Sequence, residues 1–262
     1  MQQKIIGIMG AMTEEISGVR TLLTNVREFT SGRRTYYRGQ YNGTEAVVVF
    51  SRWGKVAAAT TVSTLIHEFN ITELLFTGVA GAIHPGLKIG DIVVAKRLIY
   101  HDLDVRPIIK QYEIPLLDRI YLETGDVQLS RAANAINMLL ENKNLHDAIG
   151  DEELARFNID HPKLFTGDVA SGDQFFYKSS QKHALHTQLP EVLCVEMEGA
   201  AVAQVCYEHD IPFTVIRTIS DDADEASPVS FARFIQEVAS KYSVEIVKNI
   251  FLQLSEGPDT RY

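Results

Sequence analysis

The sequence has only two cysteines in 262 residues, Cys194 and Cys206. Both sit in apolar surroundings without metal-ligand spacing. That excludes a disulfide framework and reads as two small buried hydrophobes in a reducing compartment. No apolar run approaches the ~20 residues of a membrane span. Positive charge is also short: 25 Lys and Arg stand against 34 Asp and Glu, for a formal net charge of -9. Such a surface repels polyanions, so nucleic acid and anionic membranes are disfavoured as partners. There is no internal repeat, no low-complexity tract and no linker dense in Pro, Gly and Ser. The start, Met1 to Met9, is too short for a signal core and runs into Thr13-Glu14-Glu15. It reads as a first strand, and the expectation is a cytoplasmic protein.

Several chemical signatures are missing too. Thr77-Gly78-Val79-Ala80-Gly81-Ala82 lacks the lysine and hydroxyl of a P-loop and the glycine spacing of a dinucleotide fingerprint. It allows close backbone approach to a ligand, or forms a tight packing turn. No nucleophile elbow is present. Tyr100-His101-Asp102-Leu103-Asp104 has no second histidine cluster beside it, so its acids read as turn and hydrogen-bond groups and no metal is expected. No cofactor is expected either.

What is present is a series of strand-like apolar runs: Lys4–Met9, Glu45–Phe50, Glu73–Thr77, Asp91–Ala95, Leu164–Ala170, Val192–Val195 and Phe213–Ile219. Several are continuous, as in strands buried on both faces. Helical spacing lies between them, at Val62, Leu65, Ile66 and Phe69, and at Ala132, Ala135, Ile136 and Leu139. A longer stripe joins Phe231, Phe234, Ile235, Val238, Tyr242 and Ile246, with Ser227-Pro228 as its start. Strands alternating with helices predict an α/β fold with a mixed, mainly parallel sheet. The chain reads as one domain over residues 1–262. A polar excursion at about 141–163 carries a short exposed helix near Asp151–Phe157, and a mobile tail occupies about 256–262.

Two tracts concentrate acids at strand ends. One is Leu193-Cys194-Val195-Glu196-Met197-Glu198-Gly199, the other Val215-Ile216-Arg217-Thr218-Ile219-Ser220-Asp221-Asp222. Ligands bind at the carboxyl ends of strands in open α/β sheets. Carboxylates there bind hydroxyls, move protons or activate water; otherwise they open helices, where acids suit the dipole. Gly10-Ala11-Met12-Thr13-Glu14-Glu15 adds two more acids after the first strand. Ser171-Gly172-Asp173-Gln174-Phe175-Phe176 adds aromatics, for stacking on a base or for the core, and an aspartate that can cap the following segment.

In order along about residues 4–250, these tracts resemble the 5′-methylthioadenosine/S-adenosylhomocysteine nucleosidases of the nucleoside phosphorylase superfamily. Gly-Ala-Met-x-Glu-Glu, Thr-Gly-Val-Ala-Gly, Gly-Asp-Ile-Val-Val, Tyr-His-Asp-x-Asp-Val, Ala-Ser-Gly-Asp-Gln-Phe, Val-Glu-Met-Glu-Gly-Ala and Arg-x-Ile-Ser-Asp carry the likeness. The resemblance implies a three-layer α/β/α sandwich, usually a homodimer, that hydrolyses 5′-substituted adenosines to adenine. By motif, Asp221 protonates nitrogen-7 of the base and Glu15 deprotonates the attacking water. Glu198 holds the ribose hydroxyls over Met197, and Arg217 supports the carboxylates. Phe175 stacks on adenine, and backbone at Phe176 reads its edge. Val79, Val195, Glu196, Ser220, Met12, Trp53 and Phe231 complete the pocket.

Three departures stand out. Val79 replaces a serine common in relatives, and Trp53 replaces a smaller aliphatic near the 5′ group. Arg106 and Lys110 are more basic than usual: either they favour a 5′ substituent bearing a carboxylate, or they form a solvated basic turn. A futalosine-type preference stays open. So does a phosphorylase, which needs cations around phosphate; Phe76 and Val79 stand where phosphorylases carry arginine and serine.

Overall fold

The structure is a computed structural model that describes residues 3–141 and 144–255. The tail expected at 256–262 lies outside the described residues. The chain opens with β1 (Ile5–Gly10), α1 (Thr13–Thr21), β2 (Thr24–Ser31), β3 (Arg34–Tyr41), β4 (Thr44–Phe50) and α2 (Lys55–Phe69). It continues with β5 (Glu73–Ala82), β6 (Ile92–Tyr100), β7 (Leu122–Glu123), α3 (Asp126–Leu140), α4 (Asn144–Ile149) and α5 (Asp151–Arg156). Then follow β8 (Leu164–Ser171), α6 (Ser179–Gln188), β9 (Val192–Glu196), α7 (Gly199–Glu208), β10 (Phe213–Asp221), α8 (Ser227–Phe234) and α9 (Ser240–Ser255).

The continuous apolar runs are strands sandwiched between helices. In β1, Ile5 and Met9 face α2 and α7, while Ile6 and Ile8 face α1, α3 and α9. Val47 and Val49 split from Ala46 and Val48 in the same way on β4. Alternate side chains leave opposite faces of a strand, so burial on both faces removes the need for polar alternation. The expected α/β architecture is present, with one mixed sheet. Its long central ladders are parallel; the antiparallel pairings belong to a hairpin edge and to short closures.

β5 is the pivot. Its first residues lie between β1 and β10, and its tip pairs with β9. Since β10 also pairs with β6, and β6 continues through β8 to β9, the sheet closes into a ring of β5, β10, β6, β8 and β9. β9 meets β5 only at Gly81↔Val195 and Ala82↔Cys194. Those two pairs bring the carboxyl end of β9 beside that of β10, where Asp221 pairs with Gly81.

Four expectations change. Thr77–Ala82 is not a turn, because β5 runs through it to Ala82. The polar hairpin β2–β3 has no apolar run to announce it, and β2 is exposed along nearly its whole length. The excursion is only partly exposed: Leu145, Ile149, Leu154 and Ile159 are buried against the α3–α9 face. The long C-terminal stripe is two helices, α8 and α9, joined by a π-helical turn over Ile235–Ala239. Phe231 stays half-buried while Phe234, Ile235 and Val238 enter the core.

Candidate active site

Four of the acids and their supports converge on one cleft of about 350 Å³. Glu15 enters from α1, Gly78 to Gly81 from β5, and Glu196, Met197 and Glu198 from the end of β9. Arg217, Ser220 and Asp221 come from β10, and Phe231 from α8. Trp53 and Phe175, on the loops after β4 and β8, complete the rim with Met12, Val79 and Val195. Ala11, Ala80 and Pro228 also line it and were not expected. Among the described residues no cluster of three or more His, Cys, Asp or Glu is placed to hold a metal ion.

Glu15 is 1% exposed, and its Oε2 accepts the Met12 N–H at 2.8 Å. The carboxylate therefore caps its own helix. Burial pushes it up to about 7, against the pull of the Arg217 guanidinium. The glycine at position 78 makes this placement possible. A Cβ there would stand 3.1 Å from Glu15 Oε1 and 3.4 Å from Arg217 Nη1. Gly81 does the same for the other end of the cleft, where a Cβ would approach Asp221 Oδ1 to 3.0 Å.

Asp221 is buried and accepts from Ser220 Oγ at 2.8 Å and from the Ala223 N–H at 3.0 Å. Burial raises its carboxyl, although the hydroxyls of Ser227 and Ser220 pull the other way. Its burial thus favours the protonated form. Burial, and next the charge of Glu196, raises Glu198.

The two acids of the β9 tract have different duties. Glu196 Oε2 takes Arg217 Nη2 at 2.7 Å and the N–H groups of Glu198 at 3.1 Å and Gly199 at 2.8 Å. Its Oε1 takes Ser171 Oγ and the Gly199 N–H. Its acceptor sites are therefore filled by protein. Glu198 Oε1 accepts one N–H, from Gly54 at 2.8 Å, which leaves acceptor capacity facing the cleft. Arg217, 1% exposed, lies over the Phe76 ring at 3.9 Å and is, among the described residues, the sole Lys or Arg lining the cleft. Ser171, Gly54 and Ser227 were missed by sequence reasoning. Only their neighbourhood in the Ser-Gly-Asp, Trp-Gly-Lys and Ser-Pro tracts hinted at them.

Phe175 is 38% exposed and meets Phe231 edge-on at 5.4 Å, so the two rings flank the opening. Phe176 turns away. Its ring packs with Ile83, Ile99 and Ala170, edge-on to His101 at 5.2 Å, and does not line the cleft. Trp53 is 61% exposed, and its Nε1 donates to Met12 Sδ at 2.9 Å across the mouth. Arg106 and Lys110 do not line the cleft, and the Arg106 guanidinium is engaged by Asp104 at 2.9 Å. Asp173 does not cap its own following segment: its Oδ1 accepts the Lys55 N–H at 3.0 Å, at the start of α2.

Comparison with known proteins finds relatives over nearly the whole chain. A profile of the phosphorylase superfamily matches residues 5–251. A 5′-methylthioadenosine/S-adenosylhomocysteine nucleosidase of Anoxybacillus flavithermus is 34% identical over 96% of this chain and 99% of its own. The crystal structure of such a nucleosidase from Neisseria meningitidis, in complex with methylthio-immucillin-A, superposes with a TM-score of 0.83 at 30% identity, covering 95% of this chain and 98% of that one. The native futalosine hydrolase of Helicobacter pylori superposes with a TM-score of 0.82 at 32% identity, covering 95% and 98%.

Proposed function

The chain belongs to the 5′-methylthioadenosine/S-adenosylhomocysteine nucleosidases of the phosphorylase superfamily, and on that premise we propose how its cleft divides the work. The enzyme hydrolyses the N-glycosidic bond of 5′-substituted adenosines. Asp221 is the general acid. Its raised carboxyl donates a proton to nitrogen-7 of the base, so adenine leaves neutral as the bond from nitrogen-9 to the anomeric carbon breaks. Positive charge grows on the sugar beside Glu198, which holds the ribose hydroxyls. Glu15 takes a proton from water as the water oxygen bonds to the anomeric carbon. A general base works best with a value near the operating pH, and Glu15 sits at about 7. Phe175 forms the base shelf, opposite the edge of Phe231.

The observation that carries this reading is the shared burial of Glu15 and Asp221 in a cleft whose one cation among the described residues, Arg217, is already paired with Glu196. A phosphorylase needs a free cation for phosphate. The test is adenine release from 5′-methylthioadenosine, S-adenosylhomocysteine, 5′-deoxyadenosine and 6-amino-6-deoxyfutalosine, each with and without phosphate. Release that requires phosphate would overturn the assignment.

Met12 and Trp53 are assigned to the 5′ end. Their wall is apolar and uncharged, which favours a methylthio group. The expected order has 5′-methylthioadenosine first; the reverse order would remove Trp53 from this role. A homodimer is the expected assembly. Val56, Ile108 and Leu116, at 79%, 82% and 102% exposure, are apolar side chains that supply area for it. Sedimentation at a monomer mass would refute the dimer. Two free buried cysteines support a cytoplasmic location. Among the described residues no helix is long and apolar enough to cross a membrane.

A further inference from the structure

Three distant segments meet next to the cleft residues Trp53 and Phe175 through one ammonium and two carboxylates. Lys55 Nζ lies 2.8 Å from both oxygens of Asp102 and 3.4 Å from Asp173 Oδ2. Asp102 Oδ2 also accepts the Asp173 N–H at 2.9 Å, and Asp173 Oδ1 accepts the Lys55 N–H at 3.0 Å. Each member is therefore bound to the other two. None of the three lines the cleft.

A lysine at the first position of a helix opposes the helix dipole. Here two acids hold it there, and without its charge they would face each other unscreened. The approach is close. A Cβ on Gly54, which has φ of +88°, would stand 3.2 Å from Asp173 Oδ1. Both ends of this arrangement do reach the cleft. Gly54, one residue before Lys55, donates its N–H to Glu198 at 2.8 Å. Phe175 lies two residues after Asp173 on the same loop.

We propose that Lys55, Asp102 and Asp173 form a positioning clasp that couples the base shelf at Phe175 to the ribose carboxylate Glu198, so that the two products bind cooperatively. The proposal rests on the nucleosidase reading of the cleft. A base seated on Phe175 orders the loop that carries Asp173. Asp173 and Asp102 then fix Lys55, and the Gly54 N–H is fixed with it, aimed at Glu198. A ribose on Glu198 orders the same groups from the other side. Coupling of this kind is reciprocal, with a typical strength of about 5- to 150-fold.

Calorimetric titration tests the clasp. Adenine is titrated into the enzyme alone and into enzyme saturated with 5-methylthioribose, and the order is then reversed. In the parent enzyme each product should tighten the other about fivefold or more. In Lys55→Met the factor should fall to within about twofold of unity, and it should shrink in the parent at 1 M salt, because partly exposed charges are screened. Asp173→Asn is the second variant, should Lys55→Met fold poorly. A residue that merely supports the fold would weaken each ligand alone and leave the coupling factor unchanged, and that result overturns the clasp. So does binding of both products to the parent without coupling. Failure of adenine to bind the parent at all would instead overturn the nucleosidase reading itself.

Discussion

Replacing Glu15 by glutamine should cost the enzyme its hydrolysis and, at alkaline pH, stabilise its fold. Glu15 is 1% exposed, and burial lifts its carboxyl from 4.5 to about 7. A carboxyl raised in this way contributes stability that is complete below about 4.5 and is lost as pH rises through about 7. Once both folded and unfolded chains are ionised, the penalty is about 3 kcal/mol. Glutamine carries no charge and keeps an acceptor for the Met12 N–H, which Glu15 holds at 2.8 Å. At about pH 8 the variant should therefore exceed the parent by roughly 2 to 3 kcal/mol, and at about pH 5 by less than about 1 kcal/mol. For a chain of this size the alkaline gain corresponds to roughly 5 to 10 °C in Tm. Scanning calorimetry of both proteins at the two pH values is the assay. A Tm difference independent of pH, or a variant less stable than the parent at pH 8, would refute the claim that burial of this carboxylate is a cost the fold carries for function.

Other outcomes follow from the same geometry. Asp221→Asn should lower kcat by about 10²- to 10⁴-fold while adenosine analogues still bind; more than about a tenth of parent activity would remove its role as acid. Glu14→Gln should stay active, since Glu14 lies outside the cleft, and equal losses at positions 14 and 15 would mean that the base is misassigned. Gly78→Ala should slow turnover more than it weakens adenine binding, because its Cβ would meet Glu15 Oε1 at 3.1 Å; steady-state kinetics beside an adenine titration separate the two. Arg106→Ala with Lys110→Ala should change kcat/KM equally for charged and uncharged 5′ substituents, as neither side chain lines the cleft.

The ring strands were legible because burial on both faces writes itself as unbroken apolar runs, and α2, α3 and the C-terminal helices showed as apolar stripes, whereas α6 and α7 did not. The hairpin β2–β3 was not, since its side chains face water. Its turns did leave marks. Gly32-Arg33 and Asn42-Gly43 all take positive φ, as two-residue hairpin turns require. Thr77–Ala82 was misread for a different reason. Its small residues weaken a strand locally, and what demands them is tertiary: Glu15 and Asp221 occupy the space that Cβ atoms would need at positions 78 and 81. The clustering of acids at strand ends pointed to the cleft, but pattern alone could not say that Glu196 is filled by protein donors while Glu198 retains free acceptor capacity. Likewise, the charge of Arg106 was visible in the chain and its partner Asp104, two residues away, was not given that duty.

The chain contains one tryptophan, and it stands at the mouth of the cleft with its indole N–H against Met12 Sδ at 2.9 Å. At 61% exposure the ring is largely in water. A substrate that covers it or breaks its contact with the thioether changes the surroundings of the only indole in the molecule. The protein thus carries its own optical reporter. Its near-ultraviolet emission comes from the mouth of the cleft, with no second indole to dilute the signal, so pre-steady-state mixing can time the filling of the cleft and its emptying without a label.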